Sequence, residues 1–171
     1  GVGSAVVMNA PQSLSVMINE EDHLRMQAIC CGLQLDKVYE MINRVDSELE
    51  EVLDFAFDAR LGYLTACPSN VGTGMRASAM LHLPGLVMSD QINKIINSVN
   101  KIGLAVRGLH GEGTEAMGNL FQVSNQTTLG EAEDEIIGRL NRVIEQIIEH
   151  EQNARALLAQ RKPITLHDQV G

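Results

Sequence analysis

Three short clusters of charged, polar and glycine residues contain the side chains best suited to chemistry. The first, residues 19–25 (NEEDHLR), places three consecutive carboxylates before an arginine. Carboxylates so close together repel one another, so they need either a partner of opposite charge or full solvation. Glu21 and Arg25 are an even number of residues apart, so both share one face if the following strand begins early. The alternative interpretation is a solvated charged turn.

The second cluster, residues 65–76 (TACPSNVGTGMR), combines a thiol, two glycines and an arginine. Glycines permit positive φ angles and a close approach of the backbone to an anion. The segment is not a P-loop, because no Gly-Lys-Ser/Thr follows. Cys67 is either a small apolar filler or a reactive thiolate, and a nearby Arg76 would favour the thiolate. A glycine-rich connector is the alternative interpretation.

The third cluster, residues 107–115 (RGLHGEGTE), places Glu112 between two glycines. A carboxylate at a loop tip is well placed to close over a substrate, although a solvated turn remains the alternative. The five histidines of the chain show no metal-ligand spacing, so no protein metal site is predicted.

All three clusters contain an arginine, and this shared feature suggests one chemistry. Arg25, Arg76 and Arg107 can surround a polyphosphate, because the planar guanidinium matches phosphate oxygens. Glu21 and Glu112 can then bind a cation beside it. Three anion-binding arginines next to two carboxylates are the arrangement needed to move a phosphoryl group onto a positively charged acceptor.

Hydrophobic periodicity predicts the elements that position these clusters. The order predicted is β-β-β-α-β-β-α-β-β-α. Leu35 to Val52 form an amphipathic stripe, and Gly62 is the predicted stop of that helix. Ser89 is predicted to cap a second helix that Gly103 closes. Strands are predicted at 4–8, 14–18, 24–30, 77–83, 104–109 and 119–124, and a final long helix over 136–158 that Pro163 ends.

The predicted fold class is α+β, a mostly antiparallel β-sheet flanked by α-helices on one face. Strands occur mostly in pairs rather than one between every two helices, which favours antiparallel pairing. Polar strand residues should then point to the open face, where a site can form. The length of 171 residues predicts a single domain.

Composition excludes several classes of function. The formal charge of −9 and only five aromatic residues argue against nucleic-acid binding. No apolar run approaches the roughly 18 residues needed to cross a bilayer, so no membrane partner is predicted. Three cysteines, two of them adjacent, form no disulfide framework and indicate a reducing, cytoplasmic location.

The three clusters together resemble the signatures of the ATP:guanido phosphotransferase family. The resemblance rests on NEEDHLR at 19–25, CPSNVGTGMRAS at 67–78 and RGLHGEGTE at 107–115, in the family's order. It extends over about residues 13–150. Residues 70–76, 80–84 and 118–126 are more similar to the branch of bacterial protein-arginine kinases. The resemblance implies the catalytic-domain fold of guanidino kinases.

The resemblance also implies roles for individual residues. Glu21 would orient the guanidinium and accept its proton, Glu112 would be a second carboxylate contact, and Cys67 a thiolate beside the guanidinium. ATP is the implied cofactor, with Mg²⁺ carried by the nucleotide rather than by protein ligands. The implied nucleotide contacts are Arg25, Arg76, Ala77, Ser78, Ala79, Met80, Arg107, Gly108, Leu109, His110, Gly111 and Glu112.

The implied function is ATP-dependent phosphorylation of arginine side chains in proteins. Two alternatives remain: a small-molecule guanidino kinase acting on free arginine, and a non-catalytic adaptor that binds nucleotide or phosphoarginine. The family's Ser-x-Arg-x-Arg strand and the C-terminal segment linked to dimerisation are not found in residues 1–171. We therefore expect the chain to be the central and C-terminal part of a catalytic domain, weakly active or inactive alone, with a homodimer as the candidate assembly of a full-length protein.

Overall fold

The computed structural model describes residues 3–108 and 117–161, and the chain divides into two compact units. Unit 1 comprises Gly1–Met75 and Thr127–Ile137, and unit 2 comprises Arg76–Gln126 and Gly138–Gly171. Every strand pair in the described residues is antiparallel. The strands are β1 (Ala5–Met8), β2 (Leu14–Ile18), β3 (Leu24–Ala28), β4 (Phe57–Asp58), β5 (Gly62–Tyr63), β6 (Ser78–His82), β7 (Leu104–Gly108) and β8 (Leu120–Asn125), and the helices are α1 (Leu35–Glu50), α2 (Pro84–Met88), α3 (Ile92–Lys101) and α4 (Glu133–Arg161).

Unit 1 is built on the three-stranded sheet β1-β2-β3, with β2 in the centre. The β1–β2 turn forms as the sequence predicts: the Gln12 amide donates to the Asn9 carbonyl at 2.9 Å. Ile18 pairs with Leu24 at the other end of β2, so the loop that joins β2 to β3 contains the first acidic cluster. The position of these carboxylates therefore follows directly from the register of the hairpin.

Unit 2 is built on a second three-stranded sheet in which β8 lies between β6 and β7. Phe121 and Val123 of β8 are buried, as are Leu104 of β7 and Leu140 and Ile144 of α4. Met80 and Arg107, by contrast, lie on exposed positions of β6 and β7. One face of this sheet is thus covered by apolar side chains, and the other carries exposed side chains, as expected from the sequence.

The fold class is confirmed: helices combine with antiparallel sheet. The strands expected at 4–8, 14–18 and 24–30 form β1, β2 and β3, and those expected at 77–83, 104–109 and 119–124 form β6, β7 and β8. In the part of the chain that is described, these strands form separate sheets rather than one. Leu109 and Pro163, the expected limits of a strand and a helix, lie outside the described residues.

Two helix boundaries differ from the sequence-based prediction. Helix α1 ends at Glu50, not near Gly62, because Val52 is 74% exposed and no longer follows the apolar stripe. Gly62 instead adopts a φ of 78° in β5, where a Cβ would collide with the Gly72 backbone. Ser89 does not cap α3, whose N-cap is Gln91. Its hydroxyl donates to the Gly85 carbonyl at 2.7 Å and so helps to end α2.

Candidate active site

The first cluster occupies a tight loop, residues 19–23, which we call the acid loop. The Asn19 amide donates to the His23 carbonyl at 2.9 Å and closes the loop between β2 and β3. Asn19 has a φ of 53°, a conformation that asparagine tolerates better than most residues. The Ser4 hydroxyl donates to the Asn19 carbonyl at 2.9 Å, which attaches the loop to the chain before β1. The loop therefore has a defined backbone on which the three acids are presented.

The three consecutive carboxylates have three different environments. Glu20 forms an ion pair with Arg25 at 3.3 Å. Asp22 accepts hydrogen bonds from the Ala66 amide at 2.6 Å and from Asn70 Nδ2 at 3.2 Å. Glu21 is exposed and, among the described residues, makes no hydrogen bond or ion pair. The repulsion expected from the sequence is relieved by giving two of the acids partners, and Glu21 remains available for a ligand.

The arrangement of Glu21 and Arg25 differs from the one considered from the sequence. Strand β3 begins at Leu24, so Glu21 lies in the acid loop and does not alternate in register with Arg25. Arg25 lies on an exposed position of β3 opposite Met17 of β2. Its guanidinium contacts Glu20 rather than Glu21. This ion pair is largely exposed, so it is weak and can open for another anion.

Cys67 lies in a segment that we call the thiol segment, residues 65–70. Its carbonyl accepts hydrogen bonds from the Thr65 hydroxyl at 2.7 Å and from the Asn70 amide at 3.0 Å. The second of these bonds closes a single 3₁₀ turn, Pro68–Asn70, for which Cys67 is the N-cap. The half-buried Cys67 Sγ lies 2.9 Å from the Ser69 hydroxyl. The thiol thus has a polar partner, so it is more than an apolar filler.

The chain after the thiol segment is fixed by Thr128, which the sequence did not single out. The buried Thr128 hydroxyl lies 3.0 Å from the Ser69 carbonyl and 2.7 Å from the Val71 carbonyl, and can donate to either. The Thr73 amide donates to the Thr128 carbonyl at 2.8 Å. Gly72 has a φ of 113°, and a Cβ there would overlap the Thr128 backbone. This glycine is therefore required by close packing of two backbones.

The arginines of the second and third clusters belong to unit 2. Arg76 precedes β6 and is exposed. The Ala77 amide donates to Asn125 Oδ1 at 2.8 Å, which fixes the start of the strand after Arg76. Arg107 of β7 lies opposite Gln122 of β8. Neither guanidinium has a hydrogen bond or ion pair to any described residue, so both are free to bind an anion.

Residues 77–80 do not all face the same way. Met80 pairs with Gln122, as Arg107 does from the other side, so these three side chains share one face of the sheet. Ser78 lies on that face too, and its hydroxyl accepts a hydrogen bond from Gln122 Nε2 at 3.0 Å. Ala79 pairs with the buried Val123 on the opposite face. A ligand on the open face can therefore reach Ala79 only through its backbone.

The structure brings the predicted residues together in two groups. Glu21, Arg25 and Cys67 lie in unit 1, where Asp22 links the first two clusters. Unit 2 contains Arg76 and the 77–80 segment at β6, and Arg107 and Gly108 on β7, and these two strands flank β8. Leu109, His110, Gly111 and Glu112 fall outside the described residues. The tethering contacts of Asp22 and Thr128 were not predictable, because their partners are 44 to 59 residues away in the chain.

Within residues 3–108 and 117–161, no group of three or more His, Cys, Asp or Glu side chains is arranged to hold a metal ion. None of the helices there combines the length and apolar composition needed to span a bilayer. Cys30, Cys31 and Cys67 are all free thiols.

Comparisons with known proteins agree with the motifs. Curated relatives named protein-arginine kinase are similar to nearly the whole chain. The protein from Clostridium acetobutylicum is 52% identical over 98% of this chain and 49% of its own length. Those from Pelotomaculum thermopropionicum and Halothermothrix orenii are 54% and 53% identical, over 97% and 99% of this chain. The chain therefore spans about half the length of the curated relatives it matches.

Solved structures agree at the level of fold. The duplicated taurocyamine kinase of Schistosoma mansoni, with bound components of a transition-state analogue, matches 87% of this chain and 20% of its own, with 36% identity and a TM-score of 0.74. A lombricine kinase matches 90% of this chain and 43% of its own, with 30% identity and a TM-score of 0.77. The family model for the ATP:guanido phosphotransferase C-terminal catalytic domain matches residues 2–154. The chain belongs to the ATP:guanido phosphotransferase family.

Proposed function

We propose that the protein containing this chain transfers the γ-phosphoryl group of ATP to a guanidinium nitrogen of arginine side chains in proteins. The observation that carries this proposal is the 51–54% identity to protein-arginine kinases over nearly the whole chain. It is supported by the exposed Glu21 and by Arg76 and Arg107 of unit 2, which have no hydrogen bond or ion pair to any described residue. Each of these groups is left available for a charged ligand, as phosphoryl transfer to a cation requires.

The acceptor explains why carboxylates are needed. A guanidinium stays protonated at any ordinary pH, so its nitrogen is a poor nucleophile until it is oriented and deprotonated. We assign Glu21 the role of orienting the guanidinium and accepting its proton as the N–P bond forms. Cys67 would contact the same guanidinium, and Glu112 would be the second carboxylate. Because Glu21 has no partner among the described residues, its carboxylate need not break an existing bond to do so.

The donor explains why arginines are needed. The transferring phosphoryl group carries negative charge on its equatorial oxygens, which cationic donors stabilise. We assign this role to Arg25, Arg76 and Arg107, with backbone contacts from residues 77–80 and 108–111. Mg²⁺ would neutralise phosphate charge while bound to the nucleotide, which is consistent with its preference for phosphate and water ligands. Three free thiols support a cytoplasmic location for this reaction.

A small-molecule guanidino kinase is the second candidate. It is supported by the structural similarity to taurocyamine and lombricine kinases at 36% and 30% identity. The greater identity to protein-arginine kinases favours a protein acceptor. An adaptor that binds nucleotide or phosphoarginine without turnover is the third, and any catalytic turnover excludes it.

The acceptor can be identified by offering the full-length protein ATP with either an arginine-rich protein or free arginine. We expect acid-labile phosphate on arginine residues of the protein and little product from the free amino acid. A matched protein in which lysine replaces every arginine controls for charge alone. Preferential phosphorylation of free arginine would instead support the small-molecule kinase.

A further inference from the structure

We propose that Asp22 is a positioning residue that fixes the thiol segment against the acid loop. This inference rests on the proposed function, because it matters for catalysis only if Glu21 and Cys67 act on the same guanidinium. Asp22 lies beside Glu21 in the sequence, yet its carboxylate points into contacts with protein rather than remaining exposed. Its role is therefore different from that of its neighbour.

The two oxygens of Asp22 bind on either side of Cys67. Oδ1 accepts the Ala66 amide at 2.6 Å, immediately before the cysteine. Oδ2 accepts Asn70 Nδ2 at 3.2 Å, at the end of the 3₁₀ turn that follows it. A single carboxylate thus spans the turn and links both of its ends to the residue next to Glu21. The separation of Glu21 and Cys67 is set through this link.

These two hydrogen bonds are the whole of the polar connection. Within the described residues, no other hydrogen bond joins the acid loop to the thiol segment. The segment has further anchors elsewhere, at Thr128 and through the paired backbones of Tyr63 and Gly72. Removing the Asp22 carboxylate should therefore release the thiol segment from the acid loop without unfolding unit 1.

Hydrogen-bonding capacity, rather than charge, is what this role requires. Asparagine at position 22 keeps an oxygen for the Ala66 amide and presents an NH₂ group to Asn70. Asn70 can receive that NH₂ by rotating its own amide by 180°, which exchanges its donor for an acceptor. Asp22→Asn thus preserves both contacts without the charge, whereas Asp22→Ala removes both. A role in binding a cation or a proton would instead impair both variants equally, because both lack the charge.

A matched control exists in the same unit. Asp58 likewise accepts two hydrogen bonds, from the backbone amides of Arg60 and Leu61 at 2.9 and 3.0 Å, but it has no hydrogen bond to the acid loop or the thiol segment. Asp58→Ala removes comparable hydrogen bonds and reports the effect of lost stability alone. The three variants are made in the full-length protein, and ATP-dependent arginine phosphorylation is measured for each.

We expect Asp22→Ala to lower kcat by about 10- to 100-fold, since a displacement of about 1 Å in a reacting group has effects of this size. KM for ATP should stay near the wild-type value, because the arginines of unit 2 are untouched. Asp22→Asn should stay within roughly fivefold of wild type, since hydrogen bonds to a neutral acceptor are about half as strong. Asp58→Ala should keep wild-type kcat and KM.

A second measurement does not depend on kinase activity. Iodoacetamide labelling of Cys67 is followed by peptide mass spectrometry, with the exposed Cys31 as internal reference. Release of the half-buried thiol should raise the Cys67 rate severalfold in Asp22→Ala but not in Asp22→Asn or Asp58→Ala. Unchanged labelling or unchanged kcat in Asp22→Ala would overturn the positioning role, and so would equal impairment of Asp22→Asn. A wild-type protein that phosphorylates no arginine would instead refute the proposed function.

Discussion

Glu151 provides the sharpest test of how the structure is stabilised around β6. Glu151 is 4% exposed, and its two carboxylate oxygens accept hydrogen bonds from the amides of Gly85 and Leu86 at 2.8 and 2.9 Å. These amides belong to the first turn of α2, which has no intrahelical acceptor for them. Arg155 donates through Nε to Glu151 at 2.6 Å and through Nη2 to the His82 carbonyl at 3.2 Å. The Glu151–Arg155 pair on α4 therefore joins the end of β6 to the start of α2.

The cost of removing this acid can be worked from its contacts. Glu151→Ala leaves the two amides of Gly85 and Leu86 without their buried acceptor and removes the partner of Arg155 Nε. Each hydrogen bond to a charged group contributes about 1.5–3 kcal/mol, and breaking a buried ion pair costs about 3–5 kcal/mol. Since these terms overlap, we expect a loss of about 3–5 kcal/mol in the free energy of unfolding. Glu151→Gln keeps one acceptor oxygen and should lose less.

Urea unfolding followed by circular dichroism measures these differences, and amide hydrogen exchange at Gly85 and Leu86 localises them. Glu149→Ala is a matched control, because Glu149 is exposed on the same helix and should change the unfolding free energy by less than about 0.5 kcal/mol. Exchange at both amides should accelerate in Glu151→Ala. A loss below about 1 kcal/mol, with amide protection unchanged, would refute the reasoning.

Two further substitutions test other contacts by urea unfolding. Gly72→Ala should lower the free energy of unfolding by at least about 2 kcal/mol, because the new Cβ overlaps a neighbouring backbone in addition to the strain of a positive φ. Gly130→Ala is the control: Gly130 has a φ of 90° with open space around it, so the loss should be only about 1–2 kcal/mol. Equal losses in the two variants would contradict the overlap at Gly72. The pKa of Tyr63 is raised above its ordinary 10.0, mainly by burial and secondly by a 2.8 Å hydrogen bond to Asp46. The stabilisation that Tyr63 provides is therefore complete below about pH 10 and is lost as the pH rises further. Tyr63→Phe should lower the free energy of unfolding by about 1 kcal/mol at neutral pH, and this free energy should then fall less steeply at alkaline pH than in the wild type. If the free energy of unfolding of the variant fell as steeply at alkaline pH as that of the wild type, Tyr63 would be excluded as the cause of the fall.

Elements with strong periodicity were predictable from the sequence. Alternation of apolar and polar residues located β2, β3 and β6 to within a few residues. The three clusters of charged, polar and glycine residues could be recognised as candidate sites because their residue types suit only a few kinds of chemistry. Local composition was sufficient wherever local packing determines the structure.

Short elements and helix ends were harder to predict. Pro84 is typical of a break in regular structure, yet it occupies the first turn of the five-residue helix α2, where its missing amide hydrogen costs nothing. Ser89, a residue type common at helix N-termini, hydrogen-bonds back to α2 instead. The two-residue strands β4 and β5 are too short to show a period. In each case the residue types alone are compatible with two local structures and do not decide between them.

Long-range contacts within the candidate site could not be predicted. Three adjacent acids gave no indication that Glu20 would pair with Arg25, that Asp22 would bind the thiol segment and that Glu21 would stay exposed. Thr128 lies 59 residues from Ser69, and nothing in its neighbours marks it as an anchor. Such pairings depend on how distant segments fold together, so the spacing of residues along one sequence does not predict them.

The most direct test of the central claim is arginine phosphorylation by the full-length protein with Glu21→Gln. Glutamine keeps the size of the side chain but cannot accept the guanidinium proton. We predict a loss of at least about 10²-fold in kcat. The free energy of unfolding should change by less than about 0.5 kcal/mol, because Glu21 is exposed. Transfer of phosphate to arginine at a rate near that of the wild type would contradict the role of Glu21.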